Sequence, residues 1–379
     1  MAGVKRDLAP TYGYDSGGAS PGAITAFDAQ RTMRAITYHG PLDFRVETVD
    51  DPKLRAPTDA LVQVELAAIC GSDLHVWHGR ELGADPGTVM GHEFVGTILE
   101  TGNAVTRHPQ GSRVACPFTT SCGECFYCRA GLTARCEKGQ LFGWVEQGNG
   151  LDGCQAALVR VPLADSTLVQ IPGDLSAKTA LLTGDVLSTG YHCAVQGSIG
   201  RGSICAVLGA GPVGLMAIVA ARELGAARIF ALDLVPERLQ WAGRFGAEPV
   251  DAAIQPVERI RELTQGRGVD AVLEAIGSAD ATRLAFDLVR PGGTISAVGV
   301  HHEAGFSFSP GQAYDKNLTW RIGRCPARHY MEMLLPVART HQRELDAIFT
   351  HTLPLEQGPA AYRMFAERRD GCVKVALRP

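Results

Sequence analysis

The stretch VLGAGPVG, at residues 207–214, is the feature that most restricts the fold of this chain. An apolar, strand-like run precedes it, and an apolar, helix-like run at residues 213–224 follows. In this context Gly209 permits a tight turn, Gly211 lets backbone N–H groups approach a pyrophosphate, and Gly214 lets the helix pack closely on the strand. The stretch therefore predicts a strand–turn–helix unit that binds a dinucleotide where the helix dipole favours negative charge.

A second strand-like run ends at Asp233, nineteen residues beyond Gly214. A carboxylate at this position accepts hydrogen bonds from the adenosine ribose hydroxyls and repels a 2′-phosphate, which predicts NAD rather than NADP. The basic Arg238 follows Asp233, and Pro212 and Val213 lie at the turn itself. We include all three among the candidate cofactor-binding residues.

Two kinds of secondary-structure pattern occur along the chain. Short β-like runs occupy the part up to about residue 172, for example at residues 60–69, 93–102 and 154–162. Strands then alternate with helical segments as far as about residue 323, which is typical of a doubly wound parallel sheet. After residue 326 the pattern returns to helix and short strand. We predict an α/β fold in which a cofactor domain is inserted into a β-rich domain.

Composition limits the possible partners. Of 379 residues 45% are hydrophobic and 20% charged, and the net charge is −4 with no block of basic residues. This argues against nucleic acid or an anionic membrane surface as a partner. No apolar run approaches the roughly 18 residues that span a bilayer, and residues 1–32 lack the apolar stretch of a secretory signal. We therefore predict a cytoplasmic protein whose cysteines are reduced, with residues 1–32 as a flexible tail.

Four cysteines fall within the sixteen residues SCGECFYCRAGLTARC, at Cys122, Cys125, Cys128 and Cys136. Four thiolates in one short segment suit tetrahedral zinc, whereas the spacing does not match the ferredoxin patterns of iron–sulfur proteins. Four protein ligands leave no open position for a substrate or water. The segment therefore predicts a structural zinc lobe at residues 121–137, and any catalytic metal must lie elsewhere.

Two further motifs carry metal-ligand residue types, namely CGSDLH with Cys70 and GHE with His92 and Glu93. With the four-cysteine lobe, TGDVLSTGYH, GAGPVG and the closing KVALRP, they resemble the zinc-dependent medium-chain alcohol dehydrogenase family over residues 33–379. The resemblance implies a GroES-like catalytic domain and a Rossmann cofactor domain. The predicted boundaries are 33–186 with 327–379 for the former and 187–326 for the latter.

In that family a cysteine, a histidine and a third residue hold the catalytic zinc, and the resemblance assigns these roles to Cys70, His92 and Asp185. Many relatives have cysteine as the third ligand; the aspartate is similar to the formaldehyde dehydrogenase and dismutase branch. An aspartate oxygen is an ordinary zinc ligand with the same charge as a thiolate. The alternative is that Asp185 begins a helix without touching metal. Glu93 is expected near the zinc as an occasional ligand.

The resemblance implies that zinc polarises the substrate oxygen, and that hydride passes from the alcohol carbon to the nicotinamide. Ser72 is then expected to accept the substrate proton and pass it through the nicotinamide ribose to His75, which is expected to titrate near physiological pH. The alternative is that both are ordinary turn residues.

The same resemblance implies contacts for two groups of residues. Phe118, Trp77 and His78 are expected to line the substrate pocket. Thr189, Val298 and Val300 are expected to border the nicotinamide.

The preferred hypothesis is an NAD-dependent, zinc-dependent oxidoreductase acting on a small-molecule alcohol or aldehyde, with one catalytic and one structural zinc per subunit. A polyol or amino-alcohol dehydrogenase of the same family, and a non-catalytic NAD-binding protein on this fold, are the alternatives. The cofactor domain lacks the long insertions with which formaldehyde-specific relatives hold NAD tightly, which favours exchangeable NAD. The resemblance also leads us to expect a homodimer or a homotetramer.

Overall fold

The computed structural model describes residues 31–379. The predicted tail falls almost entirely outside these residues. The part from Thr32 to Pro379 forms one compact unit. Among residues 31–379, no helix is both long and apolar enough to cross a bilayer.

The strands of this unit are β1 (Thr32–Gly40), β2 (Asp43–Asp50), β3 (Ala60–Ile69), β4 (Phe94–Thr101), β5 (Arg113–Cys116), β6 (Trp144–Glu146), β7 (Asn149–Leu151), β8 (Leu158–Val161), β9 (Val169–Gln170), β10 (Ile204–Leu208), β11 (Arg228–Asp233), β12 (Glu248–Asp251), β13 (Val269–Glu274), β14 (Val289–Ala297), β15 (Thr319–Ile322), β16 (His351–Pro354) and β17 (Val375–Arg378).

The helices are α1 (Asp73–Trp77), α2 (Phe126–Arg129), α3 (Ala164–Thr167), α4 (Ala177–Thr183), α5 (Val186–Gln196), α6 (Pro212–Glu223), α7 (Pro236–Arg244), α8 (Pro256–Leu263), α9 (Ala279–Leu288), α10 (Pro310–Asp315), α11 (Ala327–Thr340), α12 (Gln342–Ala347) and α13 (Gly358–Glu367). Short 3-10 turns occupy Thr133–Arg135, Leu355–Gln357 and Arg369–Gly371.

The predicted doubly wound sheet is present. It has six strands in the order β12-β11-β10-β13-β14-β15, and every neighbouring pair is parallel. Numbered within the sheet this is the order 3-2-1-4-5-6 of dinucleotide-binding folds. The order reverses beside β10, so a crevice opens at the carboxyl end of that strand, directly before the glycine-rich turn.

The β-rich part is built from both ends of the chain. Its seven-stranded sheet has the path β16-β17-β3-β4-β5-β9, with β8 also paired to β3. One predicted strand is shorter than expected, since residues 154–162 form a strand only over Leu158–Val161. Gln155 and Ala156 lie outside that strand and make isolated contacts with β1. The Gln155 carbonyl accepts the N–H of Ile36, and Ala156 forms a single antiparallel bridge with Ala35.

Helices α5 and α6 pack closely against each other. A Cβ added to Gly190, in the middle of α5, would lie 2.5 Å from the backbone nitrogen of Ala217 in α6. Buried side chains such as Leu187 and Leu215 surround this crossing in one continuous apolar cluster. Because α5 begins next to Asp185 and α6 begins at the glycine-rich turn, this packing sets the position of a predicted metal ligand relative to the predicted cofactor site.

Candidate active site and metal centres

Three predicted ligands converge in the structure. Cys70 directly follows β3, His92 lies just before β4, and Asp185 is the residue before α5. Their ligand atoms all lie within 4.8 Å of one another. Oδ2 of Asp185 lies 3.0 Å from Sγ of Cys70 and 3.5 Å from Nε2 of His92. One sulfur, one nitrogen and one carboxylate oxygen fit zinc, and three protein ligands leave a position for a substrate oxygen.

The orientation of His92 is set by a residue that was not predicted. Asp73, the first residue of α1, places Oδ1 3.1 Å from Nδ1 of His92, so Nε2 faces the other two ligands. The other Asp73 oxygen accepts the N–H of Cys70 at 2.9 Å. A carboxylate behind a ligating histidine fixes the ring and its tautomer in metal sites. Asp73 therefore positions two of the three ligands at once.

The charges of these groups depend on one another. Burial, followed by the nearby Asp185 carboxylate, raises the pKa of the Cys70 thiol to about 12. Burial opposes protonation of His92, but the Asp73 and Asp185 carboxylates outweigh it and raise the pKa of His92 well above its usual value. A cation at this position would offset the negative charge of the carboxylate and favour the thiolate.

The surroundings of the ligands include three predicted site residues. Oγ of Ser72 lies 3.2 Å from Nε2 of His92, which puts this hydroxyl beside the ligating nitrogen. The Phe118 ring lies edge-on to His92, with the two ring centroids 6.4 Å apart. Thr189, one turn into α5, donates its hydroxyl to Oδ1 of Asp185 at 3.4 Å. The three ligands are thus flanked by the hydroxyl groups of Ser72 and Thr189 and by the aromatic ring of Phe118.

Glu93 is held by Lys374, the residue directly before β17. Nζ of Lys374 donates to both carboxylate oxygens of Glu93, at 3.0 and 2.6 Å, and also to the carbonyl of Ile69. Both side chains of the ion pair are 0% exposed. Burial opposes the charge of Lys374, but the carboxylate outweighs it and raises the pKa of the lysine. In this structure the Glu93 carboxylate is therefore paired with Lys374, and it also lies within hydrogen-bond reach of the ligand Asp185.

The four cysteines of the predicted lobe also converge, with their sulfurs within 4.8 Å of one another. Backbone N–H groups point at the sulfurs: Cys122 N–H donates to Cys136 at 3.2 Å, and Cys125 N–H to Cys122 at 3.4 Å. Hydrogen bonds from the backbone lower the pKa of Cys125 to about 6. Over residues 31–379 the cysteines form no disulfide. Four thiolate donors fit tetrahedral zinc and leave no position for a substrate.

The glycine-rich turn has the geometry that its sequence predicts. Gly209 has φ +87°, which favours glycine, and a Cβ on Gly214 would overlap the carbonyl oxygen of Gly209. Pro212 is the first residue of α6, so Val213 and Gly214 follow it in the first helical turn. The strand, turn and helix therefore leave the backbone at the helix N-terminus accessible to a pyrophosphate.

Asp233 ends β11 and its carboxylate is already hydrogen bonded to the backbone. It accepts the Ala210 N–H at 2.8 Å and the Val235 N–H at 3.0 Å. The guanidinium of Arg238 lies 3.7 Å from Asp233 and faces Gly211. The turn, the carboxylate and the arginine are thus brought together at the crevice beside β10.

Two families match consecutive parts of the chain. Residues 56–173 match the family described as alcohol dehydrogenase GroES-like domain, and residues 212–338 match zinc-binding dehydrogenase. Zinc-type alcohol dehydrogenase B of Aspergillus flavus is 40% identical over 352 residues, covering 90% of this chain and 81% of that protein. The chain belongs to the zinc-dependent medium-chain alcohol dehydrogenase family.

Solved structures agree with this assignment. Alcohol dehydrogenase TADH from Thermus sp. ATN1 is 41% identical, with a TM-score of 0.87 and coverage of 91% of this chain and 99% of that chain. A zinc-binding dehydrogenase from Sinorhizobium meliloti 1021, bound to NADP, is 28% identical with a TM-score of 0.81, covering 92% and 100%. The predicted family and fold are confirmed, and the dehydrogenase is a zinc-dependent alcohol oxidoreductase that uses a nicotinamide cofactor.

The loop after β14 in the dehydrogenase carries the residues expected to border the nicotinamide. Val298 is partly buried and Val300 is 37% exposed. Gly277, after β13, has φ +78°, and a Cβ there would lie 2.6 Å from the Val300 nitrogen. The loop therefore passes directly over the end of β13, at the carboxyl edge of the parallel sheet.

His75 meets a histidine that was not predicted. Its Nδ1 lies 3.3 Å from Nε2 of His302, which belongs to the loop after β14, and the ring centroids are 5.0 Å apart. Burial, followed by the charge of His302, lowers the pKa of His75 to about 4. The expectation that His75 titrates near physiological pH is therefore wrong for this arrangement, because the ring is half-buried and faces a second imidazole.

Trp77 and His78 contact an aromatic cluster and a surface groove. The Trp77 ring is 3% exposed and packs against Phe44 and Tyr362, with ring centroids 5.1 and 5.6 Å apart. Trp77 and the exposed His78 line a surface groove with Leu42 and residues of α13. The prediction that these two residues line the substrate pocket is corrected, because α1 turns this end of the segment towards an aromatic core.

Several residues at the site were not predicted, namely Asp73, Lys374 and His302. Asp73 lies inside the CGSDLH motif, and its carboxylate between Ser72 and His75 could have marked it. The pair of histidines in GVHHEAG, at the end of a predicted strand, was a second indication. For Lys374 the indication was a lysine in an otherwise apolar closing run.

Proposed function

We propose that this dehydrogenase oxidises a small alcohol with NAD, and that each subunit holds one catalytic and one structural zinc. The observation that carries the proposal is the convergence of Cys70, His92 and Asp185 within 4.8 Å, separate from the four-cysteine lobe. When bound, zinc supplies a Lewis acid and the nicotinamide supplies a two-electron acceptor.

The chain's own residues perform the remaining work. Asp73 keeps the His92 ring oriented through the contact to Nδ1. Ser72, whose hydroxyl lies beside Nε2 of His92, is placed to accept the proton of a substrate hydroxyl at the open ligand position. Phe118 closes one side of the site and favours an apolar group on the carbon that bears the hydroxyl.

The first experiment is an activity panel with purified, zinc-replete protein, followed by nicotinamide absorbance. The panel contains short and long primary alcohols, aromatic alcohols, polyols, threonine and formaldehyde without glutathione, each with NAD and with NADP. We expect turnover of one class of alcohol with NAD. Preferential turnover of polyols or threonine would favour the alternative, a polyol or amino-alcohol dehydrogenase of the same family. The absence of turnover with every alcohol would contradict the proposed function.

The preference for NAD rests on the carboxylate of Asp233, which repels a 2′-phosphate. Replacing it with asparagine removes the charge and frees Arg238, so the ratio of kcat/KM with NADP to that with NAD is expected to rise about tenfold or more. The control is Asp251→Asn, which removes a carboxylate from the end of the neighbouring strand β12 and should leave the ratio unchanged. An unchanged ratio in both variants would count against Asp233.

We also propose that the protein is a homo-oligomer joined through β15. In the described sheet β15 pairs with β14 on one side, and its other edge is unpaired. Ile322 on this strand is 52% exposed and Phe306 nearby is 67% exposed. Light scattering after gel filtration is expected to give a multiple of the 40.3 kDa chain mass. Ile322→Lys should lower that mass, whereas Leu82→Lys, at a side chain 70% exposed elsewhere, should not.

A further inference from the structure

Contacts along the loop after β14 place His302 opposite His75. Glu274 at the end of β13 is 0% exposed, and its Oε1 accepts the N–H groups of Ile276 and Gly277, both at 2.7 Å. Its Oε2 lies 3.1 Å from Nε2 of His301. The other nitrogen of His301 lies 3.1 Å from Glu303. His301 is therefore anchored on both sides, and this fixes the direction in which the next residue leaves the loop.

His302 is exposed and reaches across to α1, where its Nε2 lies 3.3 Å from Nδ1 of His75. The His75 ring is half-buried, so this contact occupies one of its two ring nitrogens. Nδ1 of His75 therefore faces the imidazole of an exposed side chain. The two rings come from separate parts of the chain, 227 residues apart.

We propose that His302 is the outer member of a proton-transfer pair with His75 and carries the proton released during alcohol oxidation to solvent. The proposal rests on the dehydrogenase function proposed above. It makes His302 a positioning and proton-accepting residue that acts through His75 and does not touch the substrate.

Each N–H bond formed during the proton transfer is matched by one that breaks. The O–H bond of the substrate hydroxyl breaks, and its proton, relayed from Ser72, forms an N–H bond at Nε2 of His75. The N–H bond at Nδ1 of His75 breaks, and an N–H bond forms at Nε2 of His302. The N–H bond at Nδ1 of His302 then breaks, and water or a buffer base accepts the proton. One proton leaves for each that enters, no electrons are exchanged, and exchange of ring protons with water restores the starting tautomers between turnovers.

The charges around the two histidines favour transfer of a proton from His75 to His302 over its retention on His75. The charges of His302 from the loop, and of Arg80 and His78 from the turn after α1, act on His75. Burial first, and then these groups, lower the pKa of His75 to about 4, which favours its neutral form. A group that does not retain a proton needs an acceptor, and His302 is the imidazole within hydrogen-bond distance.

The decisive experiment is a single turnover of the holoenzyme, followed by nicotinamide absorbance and by a pH-indicator dye. In His302→Gln we expect proton release to lag behind nicotinamide reduction and kcat near pH 7 to fall about tenfold. A small tertiary amine buffer should restore the rate as its concentration rises; imidazole is avoided because it binds zinc. His329→Gln, at another exposed histidine, should match the wild type.

Two outcomes would overturn the proposal. One is simultaneous proton release and nicotinamide reduction in His302→Gln at the wild-type rate. The other is a loss of rate that no amine restores and that appears as a higher KM for the cofactor, since a merely structural bridge between loop and helix would produce it.

A second measurement does not depend on turnover. Nitrogen-15 NMR of histidine-labelled protein should show that His302→Gln moves the pKa of His75 upward, but not to its ordinary value, because burial remains. An unchanged His75 titration would mean that the rings do not interact and would overturn the pair. If the wild-type protein shows no turnover with either NAD or NADP, the proposed function is contradicted. The NMR titration of His75 then tests the contact between His75 and His302 independently of the enzymatic activity.

Discussion

Replacing Asp185 with alanine is expected to remove one zinc ion per subunit and to lower kcat/KM for alcohol oxidation by about a thousandfold or more, equivalent to ~4 kcal/mol. The carboxylate lies 3.0 Å from the Cys70 sulfur and 3.5 Å from His92 Nε2, so its loss leaves two ligands and an open side. Two ligands hold zinc far more weakly than three in a preformed site. Metal counting by plasma mass spectrometry, alongside the activity assay, checks both parts.

Two matched variants make this result specific. Asp185→Cys replaces the carboxylate by a thiolate of the same charge and should retain both zinc ions with part of the activity. Cys122→Ser should instead remove the zinc of the four-cysteine lobe and leave the catalytic ion in place. If Asp185→Ala retained both ions, Asp185 would not be a ligand and the helix-start alternative would hold.

The second large effect is expected at the buried ion pair. Lys374→Met leaves the Glu93 carboxylate 0% exposed and without its cation, which typically costs about 3–5 kcal/mol of stability. Because Glu93 adjoins His92, we also expect weaker binding of the catalytic zinc than in the wild type. Thermal unfolding of the zinc-replete and chelated forms measures the two effects separately.

The control for this prediction is a double-mutant cycle. Glu93→Gln combined with Lys374→Met removes both charges, and the double variant should be more stable than Lys374→Met alone. Arg259→Met breaks an ion pair with Glu262 in which both side chains are more than half exposed, and it should cost about 0–1 kcal/mol. Equal stability losses in Lys374→Met and Arg259→Met would show that the buried pair contributes no more than an exposed one.

Local motifs could be predicted well because their physical requirements lie within a few residues. A tight turn between strand and helix needs glycine at Gly209 and Gly214, whatever surrounds it. The four lobe cysteines lie in sixteen residues, so their short segment brings the sulfurs together with little help from the rest of the fold. Such requirements are visible in sequence because chain connectivity itself supplies the proximity.

The catalytic ligands required more than local pattern. Cys70 and Asp185 are 115 residues apart, and neither residue alone distinguishes a ligand from an ordinary buried cysteine or helix-start carboxylate. Their motifs, taken together with the dinucleotide turn, resembled one family and supplied the pairing. The same resemblance misplaced Trp77, because the direction of a side chain at the end of the short helix α1 depends on the aromatic cluster against which it packs.

By itself the sequence determined the dinucleotide turn, the alternation of strands and helices, and the cysteine lobe, since each depends on residue types at short, fixed spacing. Only the tertiary structure decided that Lys374 neutralises Glu93 and that His302 faces His75. These contacts span 281 and 227 residues and join elements whose relative positions are set by the packing of whole sheets and helices. Burial and long-range proximity also decide the protonation of His75, because the pKa of an imidazole responds to its solvent and its neighbours rather than to its own motif.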